Sequence, residues 1–150
     1  MPMDGFQPEP GVIRWRLHLQ TPPERVYALL ATEAGRARFW AESAGERDGA
    51  IDFVFPGGQI WRGWILEQQP PRRFSVEYYG GSRTTFELVA DGAGGTDLTL
   101  TDAAVPEADR AEVTAGWVSV LLALKAAADF GIDLRNHDPA RTWDAGFVDN

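Results

Sequence analysis

Val113, Trp117, Val120, Leu121, Leu124 and Ala128 recur at spacings of three and four along residues 106–130. That is the period of a helix whose apolar stripe must lie on another surface. The only surface available is a sheet made by the residues before it, which form short alternating segments cut by glycine and proline. One long helix across one curved antiparallel sheet can hold a cavity between them. The functional question is what fills that space.

The sheet is legible strand by strand. In residues 12–20, Ile13, Trp15, Leu17 and Leu19 share one face, while Arg14, Arg16, His18 and Gln20 share the other. This alternation marks a half-buried strand. Thr21, Pro22 and Glu24 read as a helix start, with Thr21 as cap and Pro22 at the first helical position. Thr32 reads as the cap of a second short helix leading into Phe39-Trp40. A meander follows, with strands expected at 43–47, 50–55, 59–68, 73–79, 83–90 and 96–103. The turns between them, such as Asp48-Gly49 and Gly80-Gly81, are too short for crossover helices, so the sheet is antiparallel. In the run 59–68, Ile60, Trp64 and Leu66 oppose Trp61, Gly63 and Ile65, and periodicity alone does not choose the inward face. Gly131 reads as a helix stop. Gly116 costs ~1 kcal/mol against alanine inside a helix, and close packing of the helix backbone is the expected reason for it.

The order strand, two short helices, six-strand meander and long helix is carried by particular residues. These are Phe39-Trp40, Gly63-Trp64-Ile65-Leu66-Glu67, Pro70-Pro71-Arg72-Arg73-Phe74, Thr85-Phe86-Glu87-Leu88, Thr96-Asp97-Leu98-Thr99-Leu100-Thr101, Gly116-Trp117 and Leu121-Leu122-Ala123-Leu124-Lys125. Over about residues 12–129 the chain resembles the SRPBCC superfamily, also called START-like or birch-pollen-allergen-like. Within it, the match is to the group named for the C-terminal domain of the activator of heat-shock-protein-90 ATPase. The resemblance implies an α+β helix-grip fold: a curved antiparallel sheet of about seven strands, two short helices after the first strand, and one long C-terminal helix across the sheet. It also favours Trp61 and Ile65 inward, which leaves Trp64 outside, covered by a partner. The chain then divides into a flexible arm at 1–11, the domain at 12–131, and a tail at 132–150 that packs on the domain or on a second subunit.

Composition narrows the function. A formal charge of −8 repels a phosphate backbone and an anionic membrane alike. There is no Cys, which excludes thiolate metal sites and thiol catalysis. No apolar run is expected to span a bilayer, and residues 1–11 lack the charged start of a signal peptide, so a cytoplasmic protein is expected. With only two His, far apart, no metal or cofactor is expected. His18 falls on the polar face of its strand, and His137 in Asn136-His137-Asp138-Pro139 reads as a turn residue. Asp102 continues the inward phase of Leu98 and Leu100; it reads as a strand-end acid reaching water or an early helix cap, and becomes a proton carrier only if buried. Glu77 is the other strand acid. No catalytic residue is assigned.

The aromatic set carries the function. Six Trp and eight Phe are a heavy load. Trp15, Phe39, Trp40, Phe53, Phe55, Trp61, Phe74, Tyr78, Phe86, Trp117 and Leu121 are expected to line a cavity for a small hydrophobic or aromatic ligand, bound without chemistry. If the rings interdigitate fully, they form only a core. The resemblance keeps two other classes open: a cyclase, aromatase or hydrolase using the same cavity, and a module that binds a protein partner or modulates a chaperone. Val118 and Leu122 lie opposite the inward stripe, where the tail is expected to cover them. A homodimer through Trp64, or through Trp143 and Phe147 of the tail, is the expected assembly.

Overall fold

The computed structural model describes residues 9–150. Its elements are β1 (Val12–Leu19), α1 (Pro23–Ala31), α2 (Glu33–Arg36), β2 (Ser43–Arg47), β3 (Ala50–Val54), β4 (Ile60–Gln69), β5 (Arg73–Glu77), β6 (Arg83–Ala90), β7 (Thr96–Ala103) and α3 (Arg110–Phe130). The seven strands form one sheet in the order β1-β7-β6-β5-β4-β3-β2, and each neighbouring pair is antiparallel. This is the helix-grip arrangement that the helical stripe demands. A register shift between Ile65 and Glu67 marks a bulge in β4, and bulges increase local twist.

Alternation sorts the strands into faces as expected. Leu19, Phe53, Phe74, Val76, Phe86, Leu98 and Leu100 are buried in one core with Trp117, Leu121 and Leu124, and Ile13 is completely buried as well. In β4, Trp61 and Ile65 pack on the core, while Trp64 is 52% exposed. Gly63 is buried at that crossing, and a Cβ there would sit 1.8 Å from the Glu77 carbonyl oxygen. No side chain fits so close an approach of β4 to β5.

The helices begin and end for local reasons, and one expectation fails. Helix α1 starts at Pro23 with Pro22 as its cap residue, and Thr21 does not cap it. The Thr21 hydroxyl turns instead to the Ala128 carbonyl and the Asp129 carboxylate. Asp129 also accepts from the amides of Gln20 and Thr21, so the polar junction after β1 fastens the end of α3. Thr32 does cap α2, accepting from the Gly35 amide. Helix α3 stops at Gly131, whose φ of 65° takes the left-handed cap that glycine adopts freely.

By length and composition alone, residues Glu107–Phe130 are apolar enough to cross a membrane, contrary to the expectation from sequence. Here that apolarity has another use: α3 packs on β1 and α1, and its Trp117, Leu121 and Leu124 face is buried. The expected arm falls mostly on residues 1–8, outside the described residues. Glu9 is tied down, accepting from Arg14 through its carboxylate and from Arg110 through its carbonyl.

Candidate functional site

The aromatic residues divide into two layers. Phe53, Phe74 and Phe86 are completely buried in the core, and Leu121 lies with them. Trp15, partly buried beside that core, donates its indole N–H to the Thr114 carbonyl. These five expected lining residues are not in the wall of the cavity; they pack in or against the core. Phe39, Trp40, Phe55, Trp61, Tyr78 and Trp117 do line it, around a space of about 510 Å³. That volume is within the range of small-molecule sites.

Each wall comes from a different element. Phe39, Trp40, Ala41 and Glu42 follow α2 in the bend leading into β2, and Phe55 and Trp61 flank the β3–β4 turn. Tyr78 and Tyr79 come from the turn after β5, while Glu112, Val113, Gly116, Ser119, Val120 and Ala123 come from α3. Trp40 sits at the centre of the rings, with centroids 4.8 Å from Phe53, 5.5 Å from Tyr78 and 6.0 Å from Trp117. Most of these pairs are tilted or edge-on, the geometries that aromatic quadrupoles favour. The Trp40 indole donates to the Tyr78 hydroxyl at 3.0 Å. That bond fixes the phenol oxygen as an acceptor, so the phenol proton is left for another acceptor. Burial pushes the Tyr78 hydroxyl well above the usual tyrosine range, so it stays a neutral donor at the cavity wall.

Gly116 lines this cavity, and a Cβ there would meet nothing within 4 Å. Close backbone packing is therefore not the reason for the glycine. The residue borders open space.

The tail supplies the last wall. Arg135, Thr142, Trp143, Asp144 and Asn150 all face the cavity. Arg135 donates to the carbonyls of Ala41 at 2.8 Å and Ala37 at 2.6 Å, and its remaining N–H groups meet Asp133. Its guanidinium is thereby held against the bend that carries Phe39 and Trp40. His137 bridges Glu42 and Asp133, at 2.7 Å on each ring nitrogen. The Asp133 hydrogen bond raises the imidazole above its ordinary pKa, and Glu42 adds to the effect. His137 thus joins the tail to the cavity mouth, beyond the turn role its sequence suggested. The Trp143 indole donates to Glu112 at 3.2 Å, Gln59 donates to Asp144 at 3.3 Å, and Ser119 donates to the Val148 carbonyl at 2.6 Å. Val118 and Leu122 remain 39% and 52% exposed, so the tail does not cover them; it crosses the side of α3 that borders the cavity.

The two strand acids lie elsewhere. Asp102 does not reach water: it is completely buried. It accepts from the Trp117 indole at 2.8 Å and from the Thr84 hydroxyl at 3.0 Å. Burial pushes its carboxyl above the ordinary range, against the pull of those hydrogen bonds. Trp117, not Asp102, forms the wall, and neither Asp102 nor Glu77 lines the cavity. His18 is on the solvent side, paired to Asp91 at 2.8 Å. Among the described residues, no group of three or more His, Cys, Asp or Glu is placed to hold a metal ion.

Sequence reasoning missed the polar part of the wall. Glu42, Arg135 and Asp144 lie in segments without periodicity, and only the placement of the tail brings them to the aromatic rings. It also missed Arg36, which is completely buried and donates to the carbonyls of Leu30 and Ala44. A guanidinium on the last carbonyls of α1 is well placed for the helix dipole.

Comparison with known proteins gives a consistent result. Residues 20–129 match the model of the family described as Activator of Hsp90 ATPase homolog 1-like protein. Among solved structures, the Aha1 dimer from Colwellia psychrerythraea superposes with a TM-score of 0.71 at 23% identity, over 80% of this chain and 97% of that one. A protein of Chromobacterium violaceum reaches 28% identity and a TM-score of 0.67, over 80% of this chain and 99% of that one. CalU16 from Micromonospora echinospora has 27% identity and a TM-score of 0.60, over 77% and 76% of the two chains. No curated protein matches the chain.

Proposed function

The chain belongs to the family of activator of Hsp90 ATPase homolog 1-like proteins, and from that premise we propose that it binds a small hydrophobic or aromatic ligand between sheet and long helix, without covalent chemistry. The observation that carries this reading is the aromatic-walled space of about 510 Å³. Phe39, Trp40, Phe55, Trp61 and Trp117 supply apolar surface, and Tyr78 supplies a neutral hydrogen-bond donor to orient one polar end of the ligand. A catalytic role finds no such support, because the completely buried Asp102 sits behind Trp117 and does not line the cavity.

A second reading concerns assembly. Trp64, 52% exposed on the outer face of β4, gives a surface apolar residue that a second copy of this chain can cover. The Colwellia psychrerythraea relative is described as a dimer. Trp143, the tail residue expected to share in such a contact, forms part of the cavity wall and donates to Glu112.

Native mass spectrometry of freshly purified protein tests both readings, with organic extraction of whatever is bound. The expected spectrum shows a reproducible small-molecule adduct that Trp61→Ala abolishes, on a subunit count of two that Trp64→Ser reduces to one. A ligand-free protein that also gives no thermal shift with any apolar compound overturns the binding reading. A wild-type monomer overturns the assembly reading.

A further inference from the structure

The charge around the cavity differs in kind from its floor. The floor is aromatic, but the charged lining residues are Glu42, Glu112, Asp144 and Arg135. Arg135 is the only basic one, and it is spent: its side chain is 7% exposed, paired with Asp133 and bonded to two backbone carbonyls. Glu42 has His137 as its partner. Glu112 and Asp144 accept only from neutral donors, Trp143 and Gln59, and neither is in an ion pair among the described residues. Two carboxylates thus stand at the rim of an aromatic pocket without a cation, on a protein whose formal charge is −8. The Tyr79 hydroxyl reports the local field: it is pushed up by Asp109 first, then by burial, Glu112 and Asp144.

We propose that the ligand of this cavity is cationic: a protonated amine carried on an aromatic or apolar body. This rests on the reading of the cavity as a binding site and adds the charge of what binds. The body lies among Trp40, Trp61 and Trp117, and the ammonium group lies at the rim between Glu112 and Asp144. The Trp61 and Tyr79 rings, 4.8 Å apart between centroids, stand beside that rim, and their faces attract a cation as well. Both carboxylates are exposed enough for water and salt to screen them, so the expected preference is modest. It is an advantage of about fivefold over a neutral ligand of the same shape, and it shrinks as salt is added.

Isothermal titration with naphthylethylamine, naphthylethanol and naphthylacetate separates charge from shape. The amine is expected to bind about fivefold tighter than the alcohol, and the acetate weakest. In the double variant Glu112→Gln, Asp144→Asn the amine should lose its advantage while the alcohol is unchanged, because the amides keep the acceptors that Trp143 and Gln59 use. If the three compounds bind equally, or the acetate binds best, the cationic ligand is overturned and the cavity remains a binding site. If none binds and the purified protein carries no ligand, the cavity reading falls and this inference with it.

Discussion

Asp102 is a carboxylate placed where a strand would ordinarily put a third leucine. It keeps the inward phase of Leu98 and Leu100 and is completely buried; Thr84 and Trp117 donate to it, and it is in no salt bridge among the described residues. Removing one of those donors leaves a buried carboxyl short of a partner. Trp117→Phe preserves most of the ring but not the indole N–H, and should cost about 2 kcal/mol in urea unfolding, the range for leaving a buried polar group without its partner. Asp102→Asn probes the same pair through pH. The carboxyl is raised in the folded protein, so its contribution to stability is full below about 3.9, its unfolded pKa, and is lost as pH rises through the raised folded value. The melting temperature of Asp102→Asn minus that of the wild type should therefore climb with pH across that window. A difference that is flat from acid to neutral pH means that Asp102 has the same pKa folded and unfolded. The inward phase of Leu98 and Leu100 pointed to burial, but the reading as a strand-end acid reaching water was wrong, because Thr84 and Trp117 close over the carboxyl.

At the scale of elements, the strands were legible because two independent signals agree on each: alternation of apolar residues and a glycine or proline turn at the end. Helix α3 was legible from its stripe. The tail was not, because 132–150 has no period and is held by single polar contacts between residues far apart in sequence, such as Arg135 with Ala37 and Ala41. Thr21 misled for a related reason: its hydroxyl has a partner in Asp129 that no local pattern displays. The tail contacts make a pH prediction. His137 is raised in the folded state, so the stability it contributes is full below about 6.5, its unfolded pKa, and fades as pH rises through the folded value. Glu42 and Asp133 face its two ring nitrogens, while Arg135 opposes the charge. The imidazole is 39% exposed, so solvent screening limits the effect to less than about 1 kcal/mol. His137→Gln should lower the melting temperature at pH 6 and leave it nearly unchanged at high pH. Arg135→Ala, which strips the donors from Ala37 and Ala41, should destabilise at every pH. Equal loss in both variants at all pH values overturns the ionic role of His137.

For the whole molecule, the balance between a filled core and an open cavity turns on one side of α3. Its buried stripe fits tightly against the sheet, with Leu124 completely buried and Trp117 and Leu121 nearly so. The side bearing Val113, Gly116, Val120 and Ala123 meets the cavity. Gly116 separates the demands of stability from those of binding. A Cβ added there meets nothing within 4 Å, and glycine inside a helix costs ~1 kcal/mol against alanine. Gly116→Ala should therefore raise stability by roughly 0.5–1 kcal/mol, since no neighbour has to move. Gly116→Leu extends the same vector into the cavity, so it should fold as well as the wild type while ligand affinity falls by tenfold or more. Melting curves and titration with the ligand extracted from the native protein read the two quantities separately. A leucine variant that melts lower than the wild type means that this side of α3 is packed. A variant that keeps both its stability and its affinity means that the ligand binds elsewhere. The expected pair, stability retained and affinity lost, is the outcome that only a space left open for a ligand produces.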